Sequence, residues 1–261
     1  IFPDRPEATM SWLNGDASPR ILAVVPARGG SKGIPGKNLK LLGGLSLVGR
    51  AARLASSMNW IDQTIVSTDD PEIAAEGMRQ GAEAPFMRPA ELAGDTAASD
   101  EMWRHAWRSA EDHYGCRFEV SLLLEPTSPL RQPTDLLAVM DALMSGDRAG
   151  AVTVSPTPAH YSPHKTLTVD NAGQVGFLVA DGARFSRRQE IPALYHRNGL
   201  CYGLRRDPFL EGAPILGDDC AAVVIDRPVV NIDDPIELEL AEWLLERQQR
   251  TTSDLPTAQF A

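Results

Sequence analysis

Along the chain, short continuous apolar runs alternate with segments of helical spacing. The first run, ILAVVPA at Ile21–Ala27, is rich in branched residues and stops at a Gly-rich loop, as expected of a strand buried on both faces. Helical periodicity follows over Leu45–Met58. QTIVST, Gln63–Thr68, reads as a second strand, and Pro71–Gly81 as a helix with Pro in its first turn and Gly at its end. The pattern then predicts a short strand over Ala84–Arg88, a helix over Ser99–Tyr114, a buried strand over Val120–Leu124, a helix over Thr134–Ser145 and a strand over Ala151–Ser155. Such alternation predicts an α/β fold, a Rossmann-like three-layer sandwich with a mostly parallel sheet covered on both faces and right-handed crossovers.

The rhythm breaks between Pro156 and Asn198, where Pro, Gly, His and Arg are frequent and short alternating runs such as TLTVD and QVGFLVA suggest a β-hairpin insertion. Insertions of this kind often make dimer contacts, so a homodimer is expected. Strands resume over Leu200–Leu204 and Ala221–Ile225, and an amphipathic helix, Pro235–Gln249, closes the pattern. The expected organisation is a flexible segment 1–20, one domain 21–249 carrying the insertion 156–198, and a loose polar tail 250–261.

A chain of 261 residues can bury a large core without needing two domains. With 43% hydrophobic and 23% charged residues it is neither disordered nor fibrous. Its formal net charge of -10 disfavours nucleic acid or an anionic membrane as partner. Against that background Ile21–Trp60 holds Arg28, Lys32, Lys37, Lys40, Arg50 and Arg53 and no Asp or Glu. A basic island in an acidic chain suits a small anionic ligand; for Arg50 and Arg53 a solvated helix flank is the simpler reading. Cys116, Cys201 and Cys220 have no metal-type spacing, and their odd number argues against a disulfide framework, which fits a cytoplasmic protein. No apolar run approaches the roughly 18 residues of a membrane span, and the first residues lack a signal-peptide pattern.

The candidate chemistry begins in the loop PARGGSKGIPGKN, Pro26–Asn38, which follows a buried strand where open α/β sheets bind ligands. Gly29, Gly30, Gly33 and Gly36 let backbone N–H groups approach an anion, and Arg28, Lys32 and Lys37 can neutralise a triphosphate. Ser31 stands where a Walker A loop needs Gly and the loop ends in Lys-Asn, so it is not that motif; no GxGxxG is present either. A flexible surface loop is the plainer alternative, opposed by three cations spaced among four glycines.

PARGGSKGIPGKN resembles the opening signature of the N-acylneuraminate cytidylyltransferases, which activate sialic, legionaminic and pseudaminic acids as CMP esters. IVSTDD at Ile65–Asp70, RPAELAGDTAAS at Arg88–Ser99, LLEPTSPLR at Leu123–Arg131, SPHKTL at Ser162–Leu167, RRQEIP at Arg187–Pro192 and YHRNGLCY at Tyr195–Tyr202 look like further blocks in the family's order. The resemblance runs from Ile21 to about Leu245. It implies transfer of CMP from CTP to the anomeric hydroxyl of an acidic sugar, with Mg²⁺ as cofactor and pyrophosphate as leaving group. Arg28, Lys32 and Lys37 would hold the triphosphate with Asn38 and Ser99 nearby, Gly29, Gly30 and Ser31 would join them in binding the nucleotide, Arg88 and Ala97 would line the cytosine and ribose pocket, and Arg28, Lys37 and Asp233 would be the catalytic residues. Glu125, Thr127, Lys165, Arg188, Gln189, Asn198 and Tyr202 would face the acceptor, Lys165 and Arg188 in a partner's site, although Lys165 alone would read as a solvated lysine. Such a reaction needs positioning and charge stabilisation rather than a covalent intermediate; His105, His113, His160, His164 and His196 stay open as proton acceptors.

Two departures from the family pattern stand out. The metal motif, two aspartates around an Ile, reads Asn231-Ile232-Asp233-Asp234-Pro235, leaving Asp233, with Asn231 as a second oxygen, for the metal; Asp234 before Pro235 suits a helix N-cap. Glu125 replaces the usual Gln, which removes two donors and adds a charge that is costly unless a cation pairs with it, and it points to an amino-substituted or otherwise charged acceptor. Two alternatives follow: a cytidylyltransferase for another anionic acceptor, a phosphonate or a 3-deoxy-octulosonate, and a non-catalytic nucleotide-binding protein.

Overall fold

The computed structural model describes residues 12, 18–146, 148–185, 187 and 190–253. Its core is a six-stranded sheet built from β1 (Ile21–Pro26), β4 (Gln63–Ser67), β5 (Val120–Leu123), β6 (Gly150–Pro156), β9 (Tyr195–Arg205) and β10 (Cys220–Val224), in the order β10-β6-β9-β5-β1-β4. β1 runs parallel to β4 and β5, and β10 parallel to β6, while β9 is antiparallel to both β5 and β6. The sheet is mixed, with one reversed strand. β9 enters from the insertion and not from a crossover helix, so nothing forces it into the parallel direction.

The continuous apolar runs are explained by burial on both faces. Ile21, Ala23 and Val25 of β1 pack into one cluster with α1 (Leu47–Ser56) and α4 (Pro133–Ser145), and Leu22 and Val24 pack into another with Trp103, Ala106 and Trp107 of α3 (Ser99–Tyr114). The period of two in side-chain direction thus feeds two apolar layers from one strand. Each helix on the first face starts where its sequence provides a cap. Ser46 Oγ accepts from the Gly49 amide at α1, Asp70 accepts from Glu72 and Ile73 at α2 (Pro71–Arg79), and Gln132 and Asp135 cap α4 reciprocally.

A third apolar cluster positions the site. Ile34 of the glycine loop, Leu42, Leu47 and Leu130 pack against Ile232 and against Ala241 and Leu244 of α6 (Pro235–Ser253). It ties the loop after β1 to the segment around Asp233. Trp12, inside the segment read as flexible, is buried beside Trp60, and its indole donates to Asp141 at 2.7 Å.

Several local readings change. Ala84–Arg88 forms no strand: Pro85 removes a ladder donor, and only Glu83 bridges to Ile65. Leu45–Ser46 (β3) pairs with Leu41–Leu42 (β2) before α1 begins at Leu47. The insertion contains the hairpin β7 (Leu167–Val169) and β8 (Val175–Phe177), but β9 already begins at Tyr195 and pairs there with Pro156. A short helix, α5 (Arg206–Leu210), follows β9 and was not evident from periodicity.

Candidate active site

β1 is the point where the chain's winding reverses: β4 lies on one side of it and β5 on the other, so a crevice opens beyond their carboxyl ends. Its walls come from the glycine loop after β1, from Leu123–Thr127 after β5, from the approach to α3, and from Asp233 before α6. They enclose a cleft of about 520 Å³, within the usual range for a small-molecule site.

Of the residues singled out in the sequence, Arg28, Ser31, Lys32, Lys37, Asn38, Arg88, Ala97, Ser99, Glu125, Thr127 and Asp233 line this cleft. Lys37 reaches across it, donating to the Ile232 carbonyl at 2.8 Å and to Asp233 Oδ1 at 3.0 Å. Gly33 permits that approach, since a Cβ there would overlap the Asp233 carbonyl oxygen. Asn38 is buried and donates to the Arg28 carbonyl at 2.9 Å, so its amide shapes the loop. Gly29 and Gly30 lie off the lining, and the Gly29 amide is already taken by Asp69 Oδ1 at 3.0 Å. Arg88 is buried and donates to Ser67, and burial lowers its guanidinium pKa to about 10. Ala97 and Ser99 bring the start of α3, which lacks a side-chain cap, to the wall, where its amides and dipole favour an anion.

The wall after β5 is organised around Glu125. Tyr202, buried on β9 opposite Leu123, donates its hydroxyl to the Glu125 carboxylate. Burial and, less strongly, the charge of Asp233 raise the Glu125 pKa, and the charges of Arg131 and Arg197 pull it back, so the cation required of a carboxylate in this position is present. The backbone is fixed from behind by Arg131, whose guanidinium donates to the carbonyls of Glu125 at 2.8 Å, Gly199 at 3.1 Å and Leu200. Two of its three partners, Gly199 and Leu200, are some seventy residues away in sequence, so only the fold reveals them. Asn198 is 3% exposed, and its amide is used within the sheet, donating to Ser155 and accepting from Thr153. It supports this wall from behind.

Other residues are placed elsewhere. Lys165, in the insertion, and Asn231 do not line the cleft, and Arg188 and Gln189 lie outside the described residues. None of His105, His113, His160, His164 and His196 lines it either. Asp234 accepts from the Ile236 and Glu237 amides at 3.0 and 3.1 Å, while Glu237 reaches back to the Asp233 and Asp234 amides, a capping box at the start of α6. The two neighbouring aspartates therefore divide: one caps the helix and the other faces the cleft. Leu92, Gly94, Asp95, Met102 and Pro126 also line it and were not anticipated.

A family profile described as cytidylyltransferase matches residues 22–215, which include the glycine loop and most of the sheet. The chain belongs to the cytidylyltransferase family. Among curated relatives of this family, a CMP-N,N'-diacetyllegionaminic acid synthase of Legionella pneumophila is 29% identical, over 88% of this chain and 98% of its own length. One of the same description from Campylobacter jejuni is 28% identical, over 90% and 98%. An N-acylneuraminate cytidylyltransferase of Escherichia coli is 28% identical over 90% of this chain and 54% of its own. The fold matches a solved CMP:2-keto-3-deoxy-manno-octonic acid synthetase complexed with CTP, at TM-score 0.66 and 17% identity over 88% of this chain and 99% of that one. This cytidylyltransferase is a nucleotidyltransferase, and use of CTP is supported at the level of the family. Among the described residues no helix is long and apolar enough to cross a membrane.

Proposed function

We propose that this cytidylyltransferase joins CMP from CTP to the anomeric hydroxyl of a sialic-acid-like nonulosonate and releases pyrophosphate. The observation that carries this reading is the cleft lined together by the cations Arg28, Lys32 and Lys37 and by the carboxylates of Asp233 and Glu125. The cations would neutralise the β- and γ-phosphates and the charge that grows on the leaving pyrophosphate, Arg88 and the start of α3 would hold the nucleoside side, and the acceptor would enter past Glu125 and Thr127 to attack the α-phosphorus in line.

Mg²⁺ fits this donor set. No group of three or more metal-type side chains occurs among the described residues, and Mg²⁺ commonly takes one or two protein carboxylates with the rest of its shell from phosphates and water. The exposed Asp233 carboxylate would hold it, and the ion would offset phosphate charge in the transition state. The exposed apolar residues Leu167, Val169, Val175 and Phe177 of the hairpin support a homodimer in which the insertion of one protomer, with Lys165, serves the other's site. Free Cys116, Cys201 and Cys220 support action in the cytoplasm.

The Glu125 carboxylate facing the cleft favours a second acceptor reading, an amino-substituted or otherwise charged acceptor. Both are tested by pyrophosphate release from CTP and Mg²⁺ with a panel of N-acetylneuraminate, legionaminate, pseudaminate and 3-deoxy-octulosonate. Preference for one of the first three is expected. Release with the octulosonate alone would move the acceptor class, and CTP binding without release from any acceptor would leave a nucleotide-binding protein.

A further inference from the structure

The cations of the glycine loop are already partnered. Arg28 lies 2.9 Å from one oxygen of Asp95, and Lys32 lies 2.5 Å from the other, so one carboxylate bridges two of the three. Asp95 comes from the opposite wall, in the stretch between the turn Ala90–Leu92 and α3, and it too lines the cleft. An acidic group among residues that must hold a triphosphate works against anion binding, because every negative charge brought in meets its repulsion as well as the attraction of the lysine and arginine.

We propose that Asp95 is the resident counter-ion of the loop, occupying Arg28 and Lys32 in the nucleotide-free enzyme, giving way to CTP, and competing again for the same cations so that pyrophosphate is held loosely. This rests on the nucleotidyltransferase reading of the cleft. The exchange is physically cheap: the Lys32 and Asp95 side chains are 80% and 43% exposed, and ion pairs so open to water are weak. It is also directional, since a triphosphate offers several charges to the two cations where Asp95 offers one. Hydrogen bonding from Lys32 and the charges of Lys32 and Arg28 hold the Asp95 carboxyl below its ordinary range, so it is an anion whenever CTP arrives. A neutral residue at this position would leave the cations unopposed and the product trapped with them.

The consequence is a selectivity graded by ligand charge. Asp95→Asn removes a negative charge and keeps the shape, so CTP and inorganic pyrophosphate should each bind on the order of fivefold tighter by calorimetry at low salt, while cytidine, which carries no phosphate, should bind unchanged. The inhibition constant of pyrophosphate in the CTP reaction should fall by the same factor, and Asp95→Glu should restore wild-type values. Asp95→Ser, a second neutral variant, guards against failure of the amide to fold. Pyrophosphate binding that is unchanged or weaker in the folded neutral variants overturns the proposal, as does tighter binding of cytidine, which would mean a general change of shape. Wild-type protein that takes up no nucleotide would overturn the underlying reading as well; wild-type protein that binds CTP with neutral variants failing to tighten overturns this inference alone.

Discussion

At the loop end of the cleft the cations have carboxylates for partners, the partly exposed Arg28 and the exposed Lys32 with Asp95, and the more enclosed Lys37 with the exposed Asp233. Around Glu125 the polar groups are enclosed and answered by the fold: Glu125 by Tyr202 and Arg131, Arg131 by three carbonyls, Asn198 by Ser155 and Thr153. The Lys32–Asp95 pair can trade partners with a ligand at little cost, because exposed pairs are weak. The enclosed groups cannot, since breaking a buried pair leaves a desolvated charge. The proposed function would then have a phosphate site that each substrate can reorganise, beside an acceptor wall that stays as it is and imposes shape.

Removing Asp233 should produce the largest change. With Asp233→Ala the cleft loses the carboxylate proposed to hold the metal, and pyrophosphate release should fall on the order of a hundredfold, as when one group stabilising transition-state charge is deleted. Nucleotide binding without Mg²⁺ should not weaken, because Lys37 is freed from its ion pair. Steady-state rates and metal-free calorimetry report the two effects separately. An undiminished rate would remove Asp233 from the machinery.

Gly199→Ala strikes the rigid wall. Gly199 has φ 70° in β9, and a Cβ there would overlap both Glu125 Oε2 and Ser128 Oγ, so the substitution is strained in conformation and in space. A stability loss of about 1–3 kcal/mol is expected in urea unfolding, together with a raised KM for the acceptor and an unaltered KM for CTP. Equal rises in both constants would mean that the two regions are not separately built.

Asp234→Ala sharpens the assignment at the loop end with a smaller effect. Loss of the α6 cap should cost about 1 kcal/mol, with the rate of pyrophosphate release unchanged, although the preceding residue is the one proposed to hold the metal. Thermal unfolding and the turnover assay together decide it; a large loss of rate would move the metal role to Asp234 or show that both carboxylates share it.

The same contrast explains what the sequence could tell. The loop end is one contiguous stretch, so its glycines and cations declare themselves in order, and β1 declares itself because burial on both faces leaves no polar position. β9 carries the same apolar signal whichever way it runs, and its direction depends on the insertion that delivers it. α5 has five residues, too few for a period to show. Arg131 and Asp95 were visible only as members of blocks, since their partners at Leu200 and at Arg28 are brought to them by the sheet. Asp234 followed from local capping chemistry and needed no tertiary contact.

Glu125→Gln gives the smallest change in stability, read from its dependence on pH. Burial sets the folded pKa of Glu125 above its unfolded value despite the nearby guanidinium groups of Arg131 and Arg197. Below the unfolded value both states hold the proton and Glu125 costs nothing; as pH rises, the unfolded chain ionises first, and the wild type loses stability relative to the Gln variant until pH has passed the folded value, after which the gap is constant. Urea titrations of the two proteins from the acid side of the carboxylate range to neutrality should therefore diverge and then run parallel. The amide restores donors that a carboxylate lacks, so acceptor preference should shift in the same variant while the KM for CTP stays put. A stability gap independent of pH would mean that Glu125 is not held in a desolvated setting, and the wall around it would then be as adaptable as the loop.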